Sequence, residues 1–256
     1  MFDNSIFKSA RLSIDHAKFR NLEIDTALLA YLDSNPCAVV TEPYGDGSQQ
    51  VTKMKVVKPV PPIFSFLAFE SLNWLRMALD QATYAIAVAD GKTGNNAHFP
   101  FGDTRAEIFA SYRGKGSRSG DIRHEIFDYM MSFEPYKGGY DFLWAMNKFC
   151  NSHKHEFISP LWMMVGSMQT GGQSIPGLKI RNPPVWDRLK NEMELFITPR
   201  DAHYPYNFKF HAGISFADVE VFDGYIVGSI FNICWSKVES IINGLEAECR
   251  RMGIPT

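Results

Sequence analysis

Long apolar runs, paired cysteines and nucleotide-binding glycine motifs are all missing from this 256-residue chain. No apolar stretch approaches the ~20 residues that a membrane-spanning helix needs. The opening segment MFDNSIFKSARLSIDHAKF is too polar to read as a signal peptide. The four cysteines stand at 37, 150, 234 and 249. None forms a C-x2-C pair, so reduced structural thiols in a cytosol are expected. The formal net charge of −2 excludes a broad nucleic-acid surface but leaves room for a local basic cleft. G-x-S-x-G, the P-loop and G-x-G-x-x-G do not occur. His153 and His155 are two apart and point to different sides of a helix, and His98, His203 and His211 show no ligand spacing. The expectation is a soluble, cytoplasmic protein with no membrane partner, no metal and no cofactor.

Hydrophobic residues make up 45% of the chain, enough for a substantial core, and the length is compatible with one domain over residues 1–256. Residues 5–33 carry Ile6, Leu12, Phe19, Leu22, Ile24, Leu28, Leu29 and Leu32 at roughly helical spacing, which predicts an amphipathic helix ended by Ser34-Asn35-Pro36. Cys37–Thr41 and Val51–Val57 flank a Gly-rich turn and predict a β-hairpin. Helices are expected over about 64–89, 105–112, 121–133 and 140–157. Residues 169–186 read as a loop from their Gly and Pro content. Strands are expected over 192–198 and 206–230, with Asp223-Gly224 turning a hairpin between Ala217–Phe222 and Tyr225–Ile230. A last helix is expected over 234–251. The fold class is therefore α+β: a helical-bundle body with a small antiparallel sheet and a C-terminal helix. The helical block would span about 64–165 and the β-rich part about 190–256.

Two polar stripes interrupt otherwise apolar helices. Asn73, Arg76 and Asp80 lie in LNWLRMALDQATYAIAVA, and Asn147, Asn151, Lys154 and His155 lie in FLWAMNKFCNSHKHEF. Positions three or four apart share a helix face. Their neighbours are Leu, Trp, Met, Ala and Phe, so both stripes should be at least partly buried, and buried polar groups must find partners. One polar network between two helices is the expected result. One reading is a structural ion pair Arg76–Asp80 with Asn side chains capping backbone. The other is a site: Asn73, Asp80, Asn147 and Asn151 binding, with Arg76, Lys154 and His155 as catalytic candidates. Arg and Lys favour phosphate or carboxylate, and His can move a proton near neutral pH. The loop RGKGSRSGDIR, with Arg113, Lys115 and Arg118, is locally basic and reads either as a phosphate-contacting arm or as a solvated tip. Trp144 and Tyr136 can stack on bases, though Trp144 on an apolar helix fits a core.

These stripes carry a resemblance. Asn73-Trp-Leu-Arg-Met-Ala-Leu-Asp80, Phe99-Pro-Phe101, Pro135-Tyr136, Leu143-Trp-Ala-Met-Asn147 and Asn151-Ser-His-Lys-His155 resemble the motif series of a widespread family of uncharacterised bacterial proteins, over most of the chain. That family implies no activity. The chain is more distantly similar to HEPN helical domains, many of them metal-independent ribonucleases of toxin and anti-phage systems with Arg-x4-6-His at a dimer cleft. Arg11-x4-His16 and Arg118-x5-His124 fit that spacing. Leu12 stands where a polar residue is usual, Gly120 interrupts the second match, and Arg76 has no His at the spacing. What the likeness implies is RNA or a small anionic ligand as partner, and a homodimer. Two functions stay open: a binding or structural module built on the Arg-Asp-Asn-Lys-His network, and a HEPN-like ribonuclease.

Overall fold

A computed structural model describes residues 5–114, 117, 119–152, 161–169, 177–180, 186–187, 190–202, 209–216 and 219–256, with the backbone alone at 113, 161–169 and 209–212. The architecture is α+β, with helices α1 (Lys8–Asp33), α2 (Ile63–Ala89), α3 (Arg105–Arg113), α4 (His124–Met131), α5 (Asp141–Ser152) and α6 (Val227–Arg251). The strands are β1 (Cys37–Tyr44), β2 (Gln49–Val56), β3 (Leu161–Gln169), β4 (Lys179–Ile180), β5 (Trp186–Asp187), β6 (Glu192–Pro199) and β7 (Lys209–Phe216). Among the described residues no helix is long and apolar enough to cross a membrane.

The chain forms two compact units, and both are discontinuous in sequence. One comprises Met1–Asp25, Pro62–Pro160 and Phe216–Thr256; the other comprises Thr26–Pro61 and Leu161–Ser215. These divisions do not follow the expected split into a helical block at 64–165 and a β-rich part at 190–256.

The first unit is helical and centres on α2. Leu72, Leu75, Ala78, Leu79, Ala82 and Ile86 are buried along one side of α2. Each fully buried Leu or Ile contributes ~1.5–3 kcal/mol. α2 packs on α5 and α6. Its partner α6 buries Ile230, Cys234, Val238, Ile241, Ile242 and Leu245. α1 runs antiparallel to α2: Ser13 Oγ donates to Gln81 Oε1 at 2.7 Å, His16 stacks on Trp74 at 4.9 Å, and Arg20 Nε lies 2.9 Å from Glu70 Oε2.

The second unit is built on a five-stranded sheet. Its path is β1-β2-β6-β4, with β5 also on β6, and every pairing in it is antiparallel. The Tyr44-to-Ser48 turn joins β1 and β2 as the Gly-rich spacing predicts. β3 and β7 form a separate two-stranded sheet. Met54 of β2 and Met193, Leu195 and Phe196 of β6 make the apolar cluster of the five-stranded sheet, with Cys37, Leu178 and Trp186 packed against it.

Three expectations are corrected. The segment Tyr225–Ile230 is not a strand, because α6 begins at Val227. Val227, Ile230, Phe231 and Cys234 are all buried and fall at helical spacing, extending the period of the later helix back through them. A 3-10 turn at Glu220–Phe222 replaces the expected strand there. The stripe Leu12, Phe19, Leu22 and Leu29 of α1 does not enter the core: these side chains are 53–66% exposed, while Ala10, Ile14, Ala17, Ile24 and Tyr31 are buried. The third correction is β3, whose first residues fall in the block expected to be helical to about 165, while a short strand at 179–180 lies in the expected loop and another at 186–187 at its end.

Candidate functional site

The polar stripes meet where α2 faces α5, inside the helical unit. Arg76 Nε donates to Asn147 Oδ1 at 2.9 Å, and Asn151 Nδ2 donates to the same oxygen at 3.2 Å. Arg76 Nη1 lies 3.3 Å from Asp80 Oδ2, one helical turn further along α2. Asp80 Oδ1 accepts the backbone N–H of Phe99 at 3.0 Å. Asp80 thus ties α2 to the segment between α2 and α3, while Asn147 ties α2 to α5. The Arg76 and Asp80 side chains are 15% and 21% exposed, so the pair is largely but not wholly withdrawn from solvent.

Local sequence explains why the groups converge. Gly94 has φ +78° and would set a Cβ 2.6 Å from the Tyr84 ring, so the turn after α2 requires glycine to lie this close to it. The chain then passes His98, Phe99, Pro100 and Phe101 back across α2; the Phe99 and Phe101 rings lie 4.9 Å apart. Thr104 caps α3 with a capping box to Glu107. Asp103 receives the Trp144 indole N–H at 2.8 Å, fixing α5 from the other side. Before α5, the carbonyl of Glu134 accepts both Tyr136 N–H and Tyr140 N–H at 2.8 Å.

The groups open onto a cleft of about 390 Å³ whose lining includes Arg76, Asp80, His98, Ser119, Asn147 and Asn151. The His98 ring is half exposed, with Nδ1 3.9 Å from Asp80 Oδ1. That separation leaves His98 beside the carboxylate without a direct hydrogen bond. Ser119 is buried and its hydroxyl donates to the His98 carbonyl at 3.0 Å. A second, apolar opening of about 730 Å³ adjoins the first, lined by Met77, Tyr84 and Val88 and sharing Asp80 and His98 with it.

The structure therefore brings together Arg76, Asp80, Asn147 and Asn151. It does not bring in Asn73, which is half-buried and turns its amide to Met77 Sδ along its own helix, 3.5 Å away. Lys154 and His155 lie outside the described residues, as do Lys115 and Arg118. Trp144 is buried, as its apolar helix suggests. Of the two Arg–His spacings, Arg11 is taken by Asn243 and Glu246 while His16 stacks on Trp74; His124 pairs with Asp128. His98 and the Phe99 N–H were not singled out from sequence as site groups. The only signal for them is the bend of His98-Phe-Pro-Phe101, which presents a polar ring beside an anchored apolar pair.

The arrangement is rich in donors. Asn147 Oδ1 carries two bonds, and among the described residues no hydrogen bond is found from Arg76 Nη2 or from the Asn147 amide N–H groups. Asp80 is satisfied at both oxygens. No protein-family model, curated protein or solved structure matches this chain.

Proposed function

We propose that the chain is a binding module whose cleft between α2 and α5 receives a small anionic or acceptor-rich group. The observation that carries this reading is the state of Arg76. Its Nε donates to Asn147 and its Nη1 lies beside Asp80, which orients the guanidinium, and Arg76 lines a half-enclosed opening. A preorganised guanidinium with amide donors beside it suits a carboxylate or a phosphate ester. The same bonds hold α2 and α5 in register, so binding and structure share one network.

Titration calorimetry with inorganic phosphate tests the reading. The wild type is expected to give a saturable heat that Arg76→Gln removes while the variant stays folded. Absence of heat in the wild type, or equal heat in the variant, would overturn it.

A second reading is a metal-independent ribonuclease, favoured by one observation: a half-exposed imidazole, His98, stands over the same cleft beside Asp80. Arg76 would neutralise charge on the scissile phosphate, and His98 would take the proton of the attacking 2′-OH. The P–O5′ bond would break as the departing 5′-oxygen takes a proton from water, leaving a 2′,3′-cyclic phosphate and a 5′-OH. Incubation with RNA in EDTA decides it: cleavage abolished by His98→Ala supports this chemistry, and no cleavage by the wild type removes it.

A further inference from the structure

The polar cleft is one end of a longer feature of the helical unit. Arg76, Asp80, Tyr84 and Val88 follow one another at steps of four and so form one ridge of α2. Arg76 and Asp80 line the polar cleft, while Asp80, Tyr84 and Val88 line the apolar opening of about 730 Å³ beside it. Charge thus gives way to apolar surface along a single helix, over about 18 Å at a rise of ~1.5 Å per residue. Ile6, Met77, Ala85 and Ala97 add to the apolar lining. Every one of these residues belongs to the same compact unit. Tyr84 and Val88 are 52% and 46% exposed. A Cβ on Gly94 would stand 2.6 Å from the Tyr84 ring, so the loop backs one side of that ring while the residue still lines the opening. An apolar wall with a few polar groups converging at one end is the make-up of a small-molecule site, and the opening falls within the roughly 300–1,000 Å³ of such sites.

The polar end sets the head group. Arg76 offers a planar cationic donor, and Asn147 and Asn151 stand beside it with amides, which suits a carboxylate. Asp80 limits what that end can bind. Its Oδ2 lies 3.3 Å from Arg76 Nη1 and offsets much of the cation's charge. A small anion therefore gains hydrogen bonds but little net Coulomb attraction, and a second negative charge on the head would be repelled. A singly charged head is favoured for that reason. Further affinity has to come from apolar contact, and the opening beyond Asp80 offers it. Asp80 does not bar the way, since its Oδ1 is turned to the Phe99 N–H and its Oδ2 to Arg76.

We infer that the ligand is an amphiphilic monoanion: a fatty carboxylate with its head at Arg76 and its chain laid along the α2 ridge, over Tyr84 and towards Val88. Along the helix axis Tyr84 stands about 12 Å from Arg76. An extended chain advances roughly 1.2 Å per bond, so a twelve-carbon acid reaches about 13 Å and passes Tyr84. This inference rests on the anion-binding reading of the cleft and adds the chain to it.

The test is titration calorimetry of the full chain with acetate, octanoate and dodecanoate, each below its micelle concentration, beside inorganic phosphate. Dodecanoate should bind once per chain and about a hundredfold more tightly than acetate, a gain of ~2.8 kcal/mol. That is roughly the burial of three to four CH2 groups. Octanoate should fall between the two. Arg76→Gln should lose dodecanoate together with phosphate. Tyr84→Ser and, separately, Val88→Asp should each cut the dodecanoate-to-acetate affinity ratio by about tenfold or more. Both side chains are about half exposed, so each variant should keep the helical circular dichroism. Phosphate heat that Arg76→Gln removes, with dodecanoate no tighter than acetate, would overturn the chain site and leave the anion-binding cleft standing. No heat from any of the four ligands would overturn both. A chain-length gain that both Tyr84→Ser and Val88→Asp retain, or dodecanoate binding untouched by Arg76→Gln, would put the chain elsewhere and overturn the inference.

Discussion

Asn147 Oδ1 accepts from two donors, the Arg76 guanidinium and the Asn151 amide, and so joins α2 to α5 through one atom. The two donors differ in weight. Arg76 is largely buried and charged, so Arg76→Ala leaves Asp80 with one fewer cation and Asn147 with one fewer bond. A loss of ~2 kcal/mol is expected in denaturant unfolding, within the range for hydrogen bonds to charged groups. An unchanged midpoint would contradict a structural share for the network. Asn151 is exposed, so Asn151→Ala should stay within ~0.5 kcal/mol of the wild type. Gly139 is a second sensitive residue. A Cβ there would stand 2.7 Å from the Glu134 backbone oxygen, which already ties down the start of α5. Gly139→Ala is expected to cost ~1–3 kcal/mol through overpacking, and to weaken phosphate binding as well by shifting Asn147. A variant as stable as the wild type would show that the turn can yield.

At the scale of elements, the β1-β2-β6 sheet carries a charge cluster whose effect on stability has a definite sign. Lys53 Nζ lies 2.8 Å from Glu192 and 3.1 Å from Glu42, and Lys55 bonds Glu42 and lies 3.4 Å from Glu192. The hydrogen bond from Lys53 holds the Glu192 carboxyl below its ordinary range, and that from Lys55 does the same for Glu42. A carboxyl lowered in the folded state contributes stability that is complete above its unfolded value, ~4.3, and is lost as pH falls through the folded value. Lys53 and Lys55 are raised by the same bonds, so their contribution persists to high pH and fades only above the ordinary lysine range. Urea unfolding from pH 6 to pH 3 should therefore show a stability loss that Glu192→Gln makes shallower, by an argument from linkage. Parallel curves for the two proteins would show that the cluster does not contribute to the pH dependence.

Elements also show what could be read in advance. The β1-β2 hairpin and α2 were legible because turn residues and a long apolar helix leave little choice. α1 was legible as a helix but not in its orientation. It has two apolar faces: a small-residue row of Ala10, Ile14 and Ala17 turned inward and a larger row turned outward. Periodicity finds such rows without saying which is covered. β3 is not legible because the short apolar run Leu161–Val165 carries no period that separates strand from helix. The start of α6 is hidden by Asp223-Gly224, a strong hairpin signal; Gly224 does adopt φ +84° there, but it turns the chain into a helix.

For the molecule as a whole, two discontinuous units arise from one chain, and the cleft belongs wholly to the helical one. Sequence spacing could place Arg76 and Asp80 on one face and Asn147 and Asn151 on another. It could not bring His98 or the Phe99 N–H to them, since those arrive by a loop whose path depends on Gly94 and the Tyr84 ring rather than on any repeat. Arg76 and the two asparagines are proposed to form a receptive cleft rather than a closed strut. Two-dimensional nitrogen–proton spectra during a titration with inorganic phosphate test it most directly. A receptive cleft gives saturable shifts of the Arg76 Nε–H and of the Asn147 and Asn151 side-chain amides, absent in Arg76→Gln; signals that stay fixed to high phosphate, or that move only elsewhere in the chain, mean a closed strut.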